Sequence, residues 1–402
     1  PIYLLIGFSQ GVAVGAGVVV SQYLGAKDKK ETRIAVHTSL AIAAILGLIL
    51  TVGGIAVSRT LLVWMNTPDE VLGDAVTYMK LYFGGVLFSV IYNMAAGILN
   101  AAGNSRRSVL YLACASITNI ILDLVFIAGL KMGVAGAAIA TDISQLVSCV
   151  LSLRFLMKVD ADYKVELSSV RPDKRMTSRI IRIGLPSGIQ MSLVALGAMG
   201  VLSKVNSYGK AFTAGFNVGN KLDTLSFLPV QSLAAAVISF VGQNMGASRE
   251  DRVRQGVRIT VTMAVVWTVL SSALVVWLSV PLSRIFSPDP AVIAASARYL
   301  QCVMPPYVLF AILFVLNSAM RGAGDSLYPM VNVVASVILL RVPFLYLLAN
   351  RFGPDAMYWS YGIGWAVACA CPSIIMLPEN GGESTIANKN SGNRKYFDRM
   401  ID

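Results

Sequence analysis

Histidine occurs once in 402 residues, at His37, and that scarcity excludes multi-histidine haem, zinc and copper sites. The five cysteines, Cys114, Cys149, Cys302, Cys369 and Cys371, all fall in apolar stretches. Cys369 and Cys371 stand two apart, a poor spacing for a metal, so the thiols read as small packing residues. Charge is scarce too: 13% of residues are Asp, Glu, Lys or Arg against 56% hydrophobic, and the mean hydropathy is +0.68. A water-soluble domain with an ordinary polar surface is excluded.

What the chain has instead is long apolar runs. A helix of about 20 such residues crosses a bilayer core of about 30 Å. Eleven segments qualify: 2–24, 34–58, 75–101, 108–130, 133–157, 183–207, 211–243, 257–280, 291–319, 327–350 and 358–377. The expectation is an all-α, multi-pass protein whose first partner is the lipid bilayer.

The net charge of +12 does not point to nucleic acid, because the basic residues fall in every second loop. Lys27, Lys29, Lys30 and Arg33 lie in the first loop, Arg106 and Arg107 in the third, Arg154 to Arg182 in the fifth and Arg249 to Arg258 in the seventh. The intervening 66–74, NTPDEVLGD, is acidic. By the positive-inside bias the basic loops and the C-terminus are cytoplasmic. Pro1 stands where an initiating Met would, with no basic leader before it, and the start reads as cut.

An internal repeat organises the chain. VSQYLGAKDKKETRIAV (20–36) matches VGQNMGASREDRVRQGV (241–257) without a gap, an offset of 221 residues. AAGNSRRS (101–108) and GAGDSLYP (322–329) match at the same offset, as do Tyr78 and Tyr299. Both members of each matched loop pair keep one orientation, so the repeat is parallel and builds two pseudo-symmetric helix bundles. The second copy has an upstream helix, 183–207, that the first lacks, which gives about five helices plus six from a parent of six plus six. The domain reading is an N-lobe over 1–157, a charged linker over 158–182, a C-lobe over 183–377 and a polar, disordered tail over 378–402.

One acid stands out. Asp123 is the only charge in TNIILDLVFIAGL (118–130), and a carboxylate at a helix centre in lipid costs roughly 2.5–3.5 kcal/mol to insert. Asn119 lies one turn before it on the same face. The next segment, AGAAIATDISQ (135–145), offers Thr141, Asp142, Ser144 and Gln145, with Gly133 and Gly136 allowing close approach of the two helices. A carboxylate, an amide and a hydroxyl at one depth suit a proton or a small cation. Lys221 and Asp223 form a second constellation, either an ion pair or part of a cavity. Tyr92, Asn93, Gln190, Met191, Asp223 and Asn317 are the candidate lining of a substrate cavity. Pro186, Pro229, Pro305, Pro306 and Pro343 interrupt apolar stretches and supply bending points.

The ordered set GAGVVVSQYLGAKD (15–28), AAGILNAAGNSRRS (95–108), TNIILDLVFI (118–127), GVAGAAIATDISQ (133–145), GLPSGIQ (184–190) and FVGQNMGASRED (240–251) closely resembles the multidrug and toxic compound extrusion (MATE) transporters, near the bacterial DNA-damage-inducible branch. The resemblance implies two six-helix lobes and export of amphipathic, mostly cationic compounds, driven by entry of H+ or Na+ as the lobes rock. It carries the N-lobe cation site onto Asn119, Asp123 and Thr141, with no cofactor and no metal other than Na+ at Asp123. It further implies a bacterial inner-membrane monomer that is not an enzyme. The family's first helix and its C-lobe acids have no match: 187–200 reads SGIQMSLVALGAMG and 307–318 reads YVLFAILFVLNS. The rival readings are a lipid-linked oligosaccharide flippase of the same superfamily and, further off, an intramembrane enzyme, for which neither Asp-rich loop pairs nor a His pair are present.

Overall fold

The computed structural model describes residues 2–65 and 67–375, with side chains over 6–65 and 67–369; Cys371 and the expected tail over 378–402 lie outside the described side chains. The regular elements among the described residues are all helical: α1 (Ile2–Gly25), α2 (Lys29–Trp64), α3 (Asp69–Ala101), α4 (Ser105–Asp123), α5 (Gly133–Lys158), α6 (Lys174–Asn206), α7 (Lys210–Gly246), α8 (Glu250–Trp277), α9 (Ser279–Phe286), α10 (Pro290–Val303), α11 (Tyr307–Ala323), α12 (Leu327–Val333), α13 (Val342–Phe352) and α14 (Trp359–Ile375). Among the described residues eight helical spans are long and apolar enough to cross a membrane, and nine with the bent pair α10–α11. The protein is a multi-pass membrane protein, with Ile49, Ile120, Leu124 and Leu270 among the apolar side chains left bare on its surface.

The chain divides into two compact units, residues 1–192 with 242–248, and residues 193–241 with 249–402. This division does not follow the expected linker. α6 begins at Lys174, inside the 158–182 stretch, and its first half belongs to the first unit. Glycine spacing is the reason. Gly7, Gly11 and Gly15 of α1 meet Gly184, Gly188 and Met191 of α6 so closely that a Cβ on Gly11 would fall 2.1 Å from the Gly188 nitrogen. Small residues four apart let two membrane helices touch backbone to backbone.

In the first unit, charge gathers at one end. Asp28 caps α2 by accepting from the Glu31 N–H at 3.0 Å. Arg175 pairs with Glu31, Lys29 with Asp162 at 3.5 Å, and Arg179 donates to the Gln22 side chain and the Tyr23 hydroxyl, each at 2.7 Å. His37 is structural: its Nε2 accepts the Glu166 N–H at 3.0 Å while Nδ1 lies 2.7 Å from the Arg33 carbonyl, the pattern of a neutral ring that donates from Nδ1. The 159–173 segment is thereby pinned to α2.

The repeat is visible in the backbone. Lys27 and Ser248, matched at the 221-residue offset, are both left-handed, with φ of 56° and 54°. The matched Gly103 and Gly324 have φ of 76° and 98°. Equal strain at equivalent turns follows from one motif used twice.

Prolines behave in two ways. Pro186 and Pro229 sit inside continuous helices; beside them Ser187 donates to the Ile183 carbonyl at 3.0 Å and Trp267 Nε1 to the Ser226 carbonyl at 2.9 Å. Pro305 and Pro306 separate α10 from α11, which meet at a bend of 59°. Two segments widen into π-helical turns, Leu124–Gly129 directly after Asp123 and Val334–Arg341 before α13.

Candidate cation and substrate sites

α4 is amphipathic in the sense that matters in lipid. Tyr111 and Ala115 are buried, while Ile120 and Leu124 are 60% and 64% exposed. Asp123 stands at the margin of the buried face, half-buried, and its Oδ1 is enclosed with no hydrogen-bond partner. The π-helical turn that follows carries i+5 bonding such as Leu130 N–H to the Val125 carbonyl at 2.8 Å, a geometry common at functional positions. Asn119 is half-buried one turn earlier. Thr141 of α5 donates its hydroxyl hydrogen to the Ala137 carbonyl at 2.9 Å. Among the described residues no hydrogen bond or ion pair joins Asp123 to Asn119, Thr141 or any cation, so the acid is neither satisfied nor locked.

The second acid of the first unit is Asp142. It shares a narrow cleft with Thr141 and Gln145 of α5, Ser9 of α1, and Tyr82, Gly85 and Ser89 of α3. The carboxylate lies on the bare Cα of Gly85, where a Cβ would fall 2.0 Å from Oδ1. Asp142 was visible in the sequence beside Thr141. Its seat on Gly84–Gly85 was not, because that pair lies far upstream on another helix.

In the second unit Asp223 of α7 is 6% exposed and accepts two phenol hydrogen bonds, from Tyr299 of α10 at 2.6 Å and from Tyr307, the first residue of α11. One carboxylate therefore ties both sides of the broken helix. Around it, Tyr299 meets Phe216 and Tyr358 edge to face, Tyr307 meets Trp365, and the Arg341 guanidinium lies 3.4 Å from the centre of the Tyr361 ring. The Lys221–Asp223 ion pair does not form among the described residues. Two residues apart on a helix face different ways, and Lys221 is exposed. The two tyrosines escaped the sequence reading; the match of Tyr299 with Tyr78 was the available signal.

The six candidate cavity residues do not line either described cleft. Tyr92 is buried and donates to the Ser108 carbonyl at 3.1 Å, tying α3 to α4. Gln190 is buried with Oε1 lacking a partner, whereas Asn93 and Met191 are half-buried. Asn317 is buried, and its carbonyl accepts from Arg321 Nε at 3.4 Å.

A family model described as MatE matches residues 2–125 and 186–347. The chain is 30% identical over 373 residues to the probable multidrug resistance protein YpnP of Bacillus subtilis, across 92% of this chain and 83% of that protein. To the probable multidrug resistance protein NorM of Thermotoga maritima it is 25% identical over 344 residues, across 85% of this chain and 74% of that one. Among solved structures it resembles a MATE transporter in a bent conformation, with a TM-score of 0.88 and 21% identity over 99% of this chain and 87% of that one. An outward-facing multidrug resistance MATE transporter gives a TM-score of 0.87 at 22% identity, over 93% of this chain and 85% of that one.

Proposed function

This chain belongs to the MatE family of membrane transporters, and we propose that it exports amphipathic, mostly cationic drugs or toxic compounds in exchange for inward-moving H+ or Na+. The observation that carries the coupling half of this reading is the enclosed, unpartnered Oδ1 of Asp123 beside a π-helical turn. A carboxylate so placed in lipid must be neutralised by something, and an exchangeable cation satisfies it where a fixed arginine would silence it. The names of the relatives support the cargo class.

Mechanistically, the ion and the drug must favour opposite states of an alternating-access cycle, since a ligand that binds both states equally shifts nothing. Asp123 is the coupling carboxylate in this scheme, with Asn119 and Thr141 supplying neutral oxygens. Transport involves no covalent step, so no catalytic residue is assigned. The basic loops and the C-terminus face the cytoplasm of a bacterial inner membrane, by the positive-inside bias, and the transporter works as a monomer.

A flippase for anionic lipid-linked sugars would need converging cations. In the second unit Lys204 donates to Asn350 at 2.7 Å, Lys221 is exposed and Arg341 covers Tyr361, so no shared partner gathers the three. The test is accumulation of a cationic dye in cells with and without the transporter. Expression lowers accumulation, and an ionophore that dissipates H+ and Na+ gradients restores it; dye levels indifferent to expression would refute the export reading.

A further inference from the structure

We infer that Asp142, with Thr141, Gln145, Ser9 and Ser89, forms a second cation site in the first unit that holds one small monovalent ion, Na+. The cleft is built for oxygen ligands. One carboxylate, one side-chain amide and the hydroxyls of Ser9, Ser89 and Thr141 line it, together with the Tyr82 phenol. Two of those hydroxyls already donate their hydrogens to helix carbonyls, Ser9 to Ile6 at 2.9 Å and Thr141 to Ala137 at 2.9 Å. Their oxygens are left as acceptors, which suits a hard cation and not an anion.

Charge sets the valence. Asp142 makes no ion pair or hydrogen bond among the described residues, and no Lys or Arg from α1, α3 or α5 lines the cleft; Tyr82 is the only other ionisable group there. A single carboxylate balances a single positive charge, and a divalent ion would leave one charge uncompensated in a medium that penalises it heavily. Among the described residues no cluster of three acidic, His or Cys side chains offers a divalent site. Size points the same way, because the cleft is a crevice with room for about one water-sized sphere. An organic ammonium is too large.

Depth and seating add to this. Asp142 lies nine residues into α5, roughly 14 Å from that helix end, in the interior of a helix long and apolar enough to span a membrane. It lies on the side of α5 that carries the buried Ala138 and Cys149, against α3. Gly85 gives up its side chain at the one place where the carboxylate needs room. The site shares only Thr141 with the Asp123 site; its carboxylate, amide and serines are its own, so the inference stands whether or not Asp123 couples transport.

The test is equilibrium binding of radiolabelled Na+ to the purified full-length transporter in detergent. The proteins are wild type, Asp142→Asn, Ser89→Ala and Asp123→Asn, each checked for folding by size exclusion. Asp142→Asn is expected to bind one Na+ fewer per chain than wild type. Ser89→Ala weakens Na+ binding several-fold while keeping the fold, which covers the case of an unstable Asp142→Asn. Asp123→Asn retains the Asp142-dependent ion, so its effect on export bears on coupling alone. Equal Na+ binding in wild type and Asp142→Asn would overturn the proposal.

Discussion

Gly25 lies so close to Gln243 that a Cβ on it would fall 1.9 Å from that residue's carbonyl oxygen, and Gly246 stands in the same relation to Gln22, again at 1.9 Å. The two pairs are equivalent in the 221-residue repeat, so matched residues contact one another reciprocally, as in an isologous interface. The end of α7 is thereby drawn into the first unit.

Gly25→Ala and Gly246→Ala are therefore expected to destabilise by similar amounts, about 1–3 kcal/mol each, because backbone rather than a flexible side chain blocks the methyl. Thermal unfolding in detergent checks this. A clear loss in one variant and none in the other would break the claimed equivalence.

Gly85→Ala presses a methyl onto Asp142, 2.0 Å from Oδ1 and 2.7 Å from Cβ. Rotating the carboxylate cannot relieve both contacts, so the expected loss is again about 1–3 kcal/mol. Asp142→Ala added to Gly85→Ala removes the obstruction at the carboxylate and recovers part of the melting temperature. Additive losses in the double variant would show that the two residues do not press on each other.

Asp223 and Tyr307 are expected to be energetically coupled. Tyr307→Phe and Asp223→Ala each remove the buried bond between the two side chains, a loss of about 1–3 kcal/mol. Combined, they lose less than the sum, by about 1 kcal/mol or more; additivity within about 0.5 kcal/mol would contradict a direct bond. Tyr299→Phe is expected to act in the same direction through its own bond to the carboxylate.

These three sites mark what was legible in the sequence and what was not. The helical, membrane-spanning character followed from apolar runs, and the repeat from stretches 20–36 and 241–257; the paired left-handed turns at Lys27 and Ser248 carry it into the backbone. Asp123 and Asn119 lie one turn apart on α4, a spacing that helical periodicity alone makes legible. Long-range partners were hidden. Asp223 reaches tyrosines 76 and 84 residues away. That pairing depends on the bend at Pro305 and Pro306, whose direction no periodicity encodes. Asp142 was read as a neighbour of Thr141 on one helix, whereas its seat is a glycine on α3. The first half of α6 joins the first unit because Gly184 and Gly188 fit α1, a fit that needs both helices in view. The π-helical turns likewise have no composition signal, as i+5 bonding uses ordinary apolar residues.

The central claim is that Asp123 exchanges the coupling ion, and export from proteoliposomes under an imposed H+ or Na+ gradient tests it most directly. With Asp123→Asn, gradient-driven movement of a cationic dye is expected to fall to the rate seen without a gradient, while dye binding to the purified protein persists. Gradient-driven export at the wild-type rate in that variant would contradict the account.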